Sequence, residues 1–362
     1  MLTTLGIVLV IASLSLYYSV LPNLGGKNEG DKQLKLQQSL NYKNRNFQNK
    51  VPTLMAAPKF STMLKFFWKD KKQTPDRVLK TEKFSKAKFD AAPDSSLSFS
   101  WFGHSSVLLK IEGKVVLIDP VFGKRASLFT FIGPKRFLYS EPTQVEDLPE
   151  IDVLLISHDH YDHLEYKTIQ KLKDKVKQFY VPLGVATHLE KWGVDTAKII
   201  SLDWWEETVY DNSLKLVYTP TRHFSGRGLR DRNQTLWGSW SIIGQNKRVF
   251  FSGDSGYFDE FKEVGDKLGP FDLAFVENGQ YNEDWAAIHM MPEQSALVAS
   301  ELKAKAVVPI HWGKFSLSIH AWDEPVIRFM KASAAYDYKS LTPRPGEVLT
   351  QPFPTTAKWW EE

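Results

Sequence analysis

The sequence of 362 residues contains no cysteine. A disulfide framework and a zinc site built from thiolates are therefore excluded, and any bound metal would be held by histidine and carboxylate side chains. Charged side chains are also missing from residues 1–26, so the chain starts with a long uncharged stretch. Hydrophobic residues nevertheless make up 43% of the chain, which is enough for a full globular core.

Residues 2–21 are apolar apart from Thr, Ser, Gly and Tyr, and about 20 such residues match the thickness of a bilayer core. The start of the chain lacks the basic region and the Ala-x-Ala site of a signal peptide. We therefore predict a retained membrane anchor over residues 1–24, with a cleaved signal and an exported protein as the alternative. The Lys-rich flank after the anchor predicts a membrane-associated protein whose catalytic domain is cytoplasmic.

Residues 25–94 are predicted to form a basic linker or strap. Residues 27–88 contain 16 Lys and Arg against 5 Asp and Glu, whereas residues 89–362 contain 30 against 37. One interpretation is a solvated linker, and the other is a strap that meets anionic lipid headgroups, with each basic residue contributing about 1 kcal/mol. Aromatic residues 66–68 could insert at the membrane interface or pack on the catalytic body. The basic run is not organised as a nucleic-acid-binding module, so we expect no nucleic-acid partner.

From Leu97 onward, short β-branched and aromatic runs alternate with helical segments, which predicts layered sheets with helices outside. We assign this catalytic domain to residues 95–352, followed by a tail of residues 353–362. The predicted strands are Ser98–Trp101, Ser106–Ile111, Lys114–Ile118, Val153–Ser157, Gln178–Val181, Lys198–Ser201, Lys215–Tyr218, Ser239–Ile243, Arg248–Phe251, Leu273–Val276 and Ala306–Ile310. The predicted helices are Tyr166–Lys175, Gly184–Trp192, Tyr257–Leu268, Pro292–Leu302 and Glu324–Ala335.

Four candidate metal ligands lie within six residues, directly after an apolar strand. In extended chain, side chains two residues apart point to the same side, so His158 and His160 can bind one metal ion together. Asp162 and His163 follow where the chain turns towards a helix, and they can face a second ion. Imidazole nitrogen and carboxylate oxygen are ordinary zinc ligands.

Three later strands each end in another candidate ligand, namely His223, Asp254 and His311. The carboxyl ends of strands are where layered α/β proteins place their sites. The five His and two Asp suffice for two metal ions that share Asp254. A bridging carboxylate and a bridging hydroxide hold two ions about 3.5–4 Å apart, and the hydroxide is then a nucleophile near neutral pH. We predict two zinc ions per chain, with iron or manganese as alternatives.

This pattern, His-x-His-x-Asp-His followed by His, Asp and His on later strands, resembles the metallo-β-lactamase superfamily over about residues 95–350. The resemblance implies an α/β fold, the four-layer αββα sandwich, with the metals between the two sheet edges. Within that superfamily the chain resembles the N-acylphosphatidylethanolamine-hydrolysing phospholipase D group. The segments that carry this similarity are Trp101–Ser105, Leu117–Phe122, Ser157–Leu164, Thr219–His223, Leu236–Trp240, Phe251–Gly256 and Ile310–Phe315.

The resemblance also implies a division of the ligands. One zinc ion would be bound by His158, His160 and His223, the other by Asp162, His163 and His311, and Asp254 would bridge them. His289 falls where the family has a histidine that contacts the substrate, which makes it a candidate catalytic residue beside Asp162 and Asp254. The sequence departs from the family in its apolar N-terminal segment and in its basic strap.

Further residues are predicted to support the site. Asp119 ends a strand, and we expect it to orient His160 or His163 by a hydrogen bond. His104 follows a strand and a glycine, and it either orients a ligand carboxylate or is a satisfied loop residue. Arg227 could pair with a substrate phosphate, but we interpret it as an ordinary solvated charge.

The leading functional hypothesis is a phospholipase D-type phosphodiesterase that acts on N-acylphosphatidylethanolamine-like lipids through a metal-bridging hydroxide. Its partners would be a phospholipid or another amphiphilic phosphodiester substrate and a membrane surface. A lactonase or other carbonyl hydrolase is the alternative, because the hydroxide attacks carbon and phosphorus alike. A nuclease is disfavoured by the acidic catalytic body. The non-enzyme alternative, a membrane-tethered binding module, is disfavoured by the complete ligand set.

Overall fold

The computed structural model describes residues 17–18, 20–53, 59, 62 and 71–362. Most of the predicted anchor and the aromatic residues 66–68 lie outside these ranges. Tyr17 and Tyr18 are described, and both side chains are exposed. No helix within the described ranges is both long enough and apolar enough to cross a membrane.

The strands are β1 Tyr42–Lys43, β2 Asn46–Phe47, β3 Ser98–Trp101, β4 Val107–Ile111, β5 Lys114–Ile118, β6 Ile151–Leu155, β7 Val176–Pro182, β8 Ile199–Leu202, β9 Glu207–Tyr210, β10 Leu214–Pro220, β11 Gly238–Ile243, β12 Arg248–Phe251, β13 Leu273–Glu277, β14 Ala306–Ile310, β15 Lys339–Ser340 and β16 Val348–Thr350. The α-helices with described bounds are α1 Asp31–Gln37, α2 Lys86–Asp90, α3 Tyr166–Leu172, α4 Ala186–Lys191, α5 Glu260–Leu268, α6 Pro292–Glu301 and α7 Glu324–Ser333.

Two mixed sheets of seven strands form the centre of the molecule. The first has the order β16-β3-β4-β5-β6-β7-β8, and the second has the order β15-β14-β13-β12-β11-β10-β9. In each sheet one half is parallel, over β5 to β8 and over β12 to β15, while the other half is antiparallel. The short pair β1 and β2 forms a separate hairpin.

The sandwich has four layers because most central strands are apolar on both faces. On β6, Leu155 points into the core between the sheets, whereas Leu154 packs with Ile169 of α3 in an outer core. On β14, Val308 belongs to the inner core and Val307 packs with Phe329 of α7 in a second outer core. Successive strand residues point to opposite faces, so each strand contributes to two cores. This arrangement confirms the predicted α/β fold with an αββα order of layers.

All the chain segments that carry candidate site residues leave the sheets at one edge. In the first sheet, β3 and β5 are each antiparallel to β4, and β6 is parallel to β5, so these three strands end on the same side. In the second sheet, β10, β12, β13 and β14 share one direction by the same argument. The loops after these seven strands therefore meet at the edge where the two sheets face each other.

Every predicted strand is present, with ends shifted by two residues at most. The strands that sequence analysis missed in the catalytic domain are the edge strands β9, β15 and β16. Strand β9 alternates between exposed and half-buried residues, and β15 and β16 have only two and three residues. Strand β16 joins the sheet by pairing with β3 from the far end of the domain, a contact that local patterning does not encode.

The described part of the strap packs on the sandwich and is not a solvated linker. Leu36 and Phe47 have exposed fractions of 2% and 0%, and they belong to the inner core cluster. Just before the strap begins, the carbonyl of Pro22 accepts a hydrogen bond of 2.6 Å from Trp192 Nε1. The domain boundaries predicted from the sequence stay a prediction.

Candidate metal centre

The run of candidate ligands after β6 is bent by two backbone hydrogen bonds. The carbonyl of His160 accepts from the N–H of His163 at 3.0 Å and from the N–H of Leu164 at 2.8 Å. The chain therefore bends at His160 and turns over residues 161–163. His158 and His160 group with His223, whereas Asp162 and His163 group with His104 and His311.

Three imidazole nitrogens form the first cluster. His160 Nδ1 lies 2.9 Å from His158 Nε2 and 3.3 Å from His223 Nε2. His223 arrives from the loop after β10, on the opposite sheet. His158 and His223 are buried, with exposed fractions of 1%, and His160 is half-buried.

Hydrogen bonds to Nδ1 fix the tautomers of His158 and His223. His223 Nδ1 lies 3.0 Å from the carbonyl of Ile288, which can only accept, so Nδ1 carries the proton. Ser157 donates its hydroxyl to Asp119, so it accepts the proton of His158 Nδ1 at 3.0 Å. The Nε2 lone pairs of His158 and His223 therefore both face His160 Nδ1, which can donate to only one of them. A cation held by these three residues would satisfy all three nitrogens.

His163 and Asp162 form the second cluster with His311. His163 Nε2 lies 3.5 Å from Asp162 Oδ2 and 3.2 Å from Asp254 Oδ2, but no hydrogen bond in the described structure satisfies it. Burial disfavours the imidazolium form, yet Asp254 and Asp162 outweigh it and raise the pKa of His163 well above its usual value. A metal ion would supply this positive charge instead of a proton.

Asp254 lies between the two clusters. Its Oδ1 is 3.1 Å from His311 Nδ1, and its Oδ2 is 3.8 Å from the Nε2 atoms of both His158 and His223. Burial opposes ionisation, but His163 and His311 outweigh it and hold the pKa of Asp254 well below its usual value. The carboxylate thus stays charged in a buried place where it can contact two ions.

The backbone at the strand ends is strained around this centre. His104, Asp119 and His311 have φ values of 56°, 42° and 69°, in the left-handed region that non-glycine residues rarely adopt. Such a conformation costs about 1–3 kcal/mol and clusters at functional sites. At Gly253, where φ is 58°, a Cβ would lie 2.6 Å from the carbonyl oxygen of Gly238, so only glycine allows this approach.

Both predicted supporting residues contact candidate ligands. Asp119 Oδ2 lies 2.7 Å from His163 Nδ1, and it reaches His163 rather than His160. His104 Nε2 lies 2.7 Å from Asp162 Oδ2. Asp119 and His104 are fully buried, so these contacts are shielded from water. Their roles in metal binding stay a prediction.

His289 lies beside both clusters and pairs with a residue that sequence analysis missed. Its ring centroid is 5.0 Å from that of His223 and 5.3 Å from that of His311. Its Nδ1 is 3.1 Å from Oε1 of Glu277, a fully buried carboxyl group. Burial lowers the pKa of His289, but the hydrogen bond and charge of Glu277 outweigh it, so the pKa is raised. Glu277 is the last residue of β13, and the candidate ligands likewise follow the ends of their strands. This position at a strand end could have identified Glu277 from the sequence.

Arg227 is buried, so its interpretation as a solvated charge is wrong. Its exposed fraction is 3%, and its Nη1 donates to the carbonyls of Asp159, inside the ligand run, and of Leu164, directly after it. The guanidinium also stacks 4.2 Å from the ring centroid of Tyr161. Arg227 therefore stabilises the backbone of the candidate ligand run through hydrogen bonds. Asp159, although inside the run, faces away and accepts from the N–H of Gly226 at 2.8 Å.

Lys314 is a second buried cation that sequence analysis did not single out. Its exposed fraction is 2%, and its Nζ donates to the carbonyl of Val121 at 2.6 Å. Burial lowers the pKa of its ammonium group to about 7. The bond joins the loop after β14, which carries His311, to the loop after β5, which carries Asp119.

A family model described as a beta-lactamase superfamily domain matches residues 114–312. The chain belongs to the metallo-β-lactamase superfamily. An uncharacterized protein of Mycobacterium tuberculosis is 43% identical over 271 residues, which are 74% of this chain and 72% of that protein. The N-acyl-phosphatidylethanolamine-hydrolyzing phospholipase D 1 of Caenorhabditis elegans is 38% identical over 240 residues, 63% of this chain and 67% of that enzyme.

A solved structure supports the fold of the superfamily. Igni18, a metallo hydrolase from the archaeon Ignicoccus hospitalis, aligns with a TM-score of 0.56 over 72% of this chain and 100% of that chain, at 22% sequence identity. Superfamily membership and the His/Asp clusters make this protein a metal-dependent hydrolase with a candidate site for divalent metal.

Proposed function

We propose that this metallo-β-lactamase superfamily member is a phospholipase D-type phosphodiesterase that hydrolyses N-acylphosphatidylethanolamine-like lipids. The geometric observation behind a two-metal enzyme is the place of Asp254, within 3.8 Å of nitrogen atoms from both clusters. The substrate class is supported by the 38% identity to a relative named for this reaction.

The residues present fit two cations, because buried lone pairs and carboxylates converge without enough protons to satisfy them. The first ion would be held by His158, His160 and His223, the second by Asp162, His163 and His311, and Asp254 would be shared. When bound, two such ions polarise phosphate oxygens and lower the pKa of a water molecule. We propose zinc because imidazole nitrogen dominates the ligand set, with iron and manganese as alternatives.

Asp119 and His104 would keep the second set of ligands in place. Asp119 accepts a hydrogen bond from the Nδ1–H of His163, which directs the Nε2 lone pair towards the centre. His104 contacts one oxygen of Asp162 and restrains its rotation. Such partners orient ligands before the metal arrives, which lowers the reorganisation that binding requires.

His289 would act on the leaving group. Hydrolysis forms a bond between phosphorus and a water oxygen and breaks the bond to the ethanolamine oxygen, which needs a proton to leave as an alcohol. Glu277 engages Nδ1 of His289, so Nε2 remains to donate that proton. The hydrogen bond and charge of Glu277 raise the pKa of His289, which favours the protonated form of this donor.

An exposed apolar loop supports an amphiphilic substrate and a membrane surface. Phe131 and Ile132 have exposed fractions of 60% and 58%. Basic residues Lys124 and Lys135 flank this loop and are also exposed. Asn23 Nδ2 donates to the carbonyl of Leu128 in the same loop, which ties it to the end of the predicted anchor. We propose that the protein is membrane-associated through this face and residues 1–24.

The test is metal analysis of the purified protein followed by a substrate panel. Wild-type protein should hold two zinc ions and hydrolyse N-acylphosphatidylethanolamine or bis(4-nitrophenyl) phosphate. His158→Ala should reduce the metal content by about one ion, and Asp254→Ala should reduce it further because both clusters lose a ligand. His320→Ala is the matched control, because this histidine bonds the carbonyl of Ala321 away from the clusters. Metal-loaded protein that cleaved a lactone but neither phosphodiester would overturn the proposal.

A further inference from the structure

Asn49 of the strap holds the backbone of a candidate metal ligand. Its Nδ2 donates to the carbonyl of His223 at 2.8 Å, and its Oδ1 accepts from the N–H of His223 at 3.2 Å. The same Oδ1 also accepts from Trp237 Nε1 at 3.1 Å. One amide side chain therefore satisfies both backbone groups of His223.

The strap is attached to the same loop on both sides of Asn49. Before it, the N–H of the fully buried Phe47 donates to the carbonyl of Asn233 at 2.7 Å. After it, Arg222 donates from Nε to Thr53 Oγ1 at 3.1 Å and from Nη2 to the carbonyl of Pro52 at 2.8 Å. Strap residues 47–53 thus form a clasp on the loop that follows β10.

The loop needs an external partner at His223. The chain leaves β10 at Pro220 and enters β11 only at Gly238, with no helix or strand between them. Among the described residues, the N–H and C=O of His223 have no backbone hydrogen-bond partner. Its ring is oriented by the carbonyl of Ile288, but that bond does not hold the backbone of His223. The two hydrogen bonds from Asn49 restrain the backbone of His223.

We propose that Asn49 is a positioning residue that holds His223 for the metal ion of the first cluster. The inference rests on the proposed metal centre. It makes strap residues 47–53, which lie outside the family match at residues 114–312, part of the metal site rather than a passive tether. The physical reason is preorganisation, since a ligand held in place loses less conformational freedom when the ion binds.

The experiment measures zinc release from the full-length protein. Wild-type protein, Asn49→Ala, Asn49→Asp and Asn41→Ala are loaded with Zn²⁺, and release to a chromogenic chelator is followed in time. Asn41 is the matched control, because its side chain lies on the same strap but contacts Asp203 rather than the loop of His223. We expect Asn49→Ala to release one of two ions about 10-fold faster or more, as for other residues that orient ligands. Asn41→Ala should behave as wild type.

Asn49→Asp provides a conservative comparison. It keeps the oxygen that accepts from His223 and Trp237 but loses the donor, so its release rate should lie between those of wild type and Asn49→Ala. If Asn49→Ala does not fold, Thr53→Val, which removes the hydroxyl acceptor of Arg222, should accelerate loss of the same ion to a smaller extent. Equal release from all variants would overturn the clasp, as would uniform faster loss of both ions. Wild-type protein that bound no zinc would instead overturn the metal centre itself.

Discussion

Asp119 accepts a hydrogen bond of 2.7 Å from Nδ1 of His163, and both side chains are fully buried. Asp119 also accepts from the N–H of Ser157 at 2.7 Å and from the Ser157 hydroxyl. With three donors around it, this carboxylate has one stable orientation. It consequently determines which nitrogen of His163 faces Asp162 and Asp254.

Asp119→Asn should weaken metal binding on the His163 side. An asparagine can turn its NH₂ group towards His163 Nδ1, which favours the tautomer with a proton on the nitrogen that faces the centre. Retention of that ion should fall by about 10–100-fold, as measured by competition with a chelator. Asp152→Asn is the control, because Asp152 lies on the same sheet but pairs with Lys177. Unchanged retention in Asp119→Asn would contradict this role.

His289→Asn should slow hydrolysis without removing metal. If His289 donates the proton to the leaving alcohol, kcat should fall by about 10²-fold or more while the zinc content stays at the wild-type value. Loss of zinc in this variant would indicate that His289 is a ligand instead. Steady-state kinetics with N-acylphosphatidylethanolamine, together with elemental analysis, separates the two outcomes.

The pH profile should report the pair of His289 and Glu277. A protonated donor with a raised pKa stays active above the usual value of 6.5, and activity is lost as pH rises through the raised pKa. Glu277→Gln removes the charge that raises this pKa, so the alkaline limb of kcat should move to lower pH. An alkaline limb at the same pH in both proteins would exclude His289 as its origin.

Lys314→Met should change how stability depends on pH. In the folded state the pKa of Lys314 is about 7 instead of the usual 10.5, so the unfolded chain binds more protons between these values. Wild-type stability therefore rises with pH through this window from the contribution of Lys314, by about 1.4 kcal/mol per pH unit. The advantage of Lys314→Met over wild type should be largest near pH 7 and shrink towards pH 10. Urea unfolding at several pH values measures this, with the exposed Lys331→Met as control.

Arg227→Met should destabilise the fold. The carbonyls of Asn23, Asp159 and Leu164 each lose a buried donor, and an unsatisfied buried group costs about 1–3 kcal/mol. We expect the free energy of unfolding to fall by about 3 kcal/mol, measured by chemical denaturation, with a smaller loss for Arg227→Lys. Arg230→Met, at an exposed arginine in the same loop, should have little effect. If Arg227→Met were as stable as wild type, the buried hydrogen bonds of Arg227 would not contribute to the free energy of unfolding.

The limits of sequence analysis follow from the range of each interaction. The ligand run was recognisable because spacing in extended chain and at a turn places neighbouring side chains, and these are local properties. Glu277 was within reach of the same logic but was missed, because β13 was predicted to end one residue earlier. Arg227 was misjudged because its partners Asp159 and Leu164 lie more than sixty positions away, and nothing local distinguishes a buried arginine from a solvated one.

The sequence by itself determined the types of candidate metal ligand, their places after apolar strands and the layered α/β fold, because hydrophobic periodicity and the chemistry of His and Asp are properties of short stretches. Only the tertiary structure decided which nitrogens lie near Asp254 and that Asp119 accepts a hydrogen bond from His163. It also decided that Asn49 of the basic strap forms hydrogen bonds with the backbone of His223. These contacts join residues brought together by sheet pairing and loop packing, so their specificity depends on distances in space that no local pattern records.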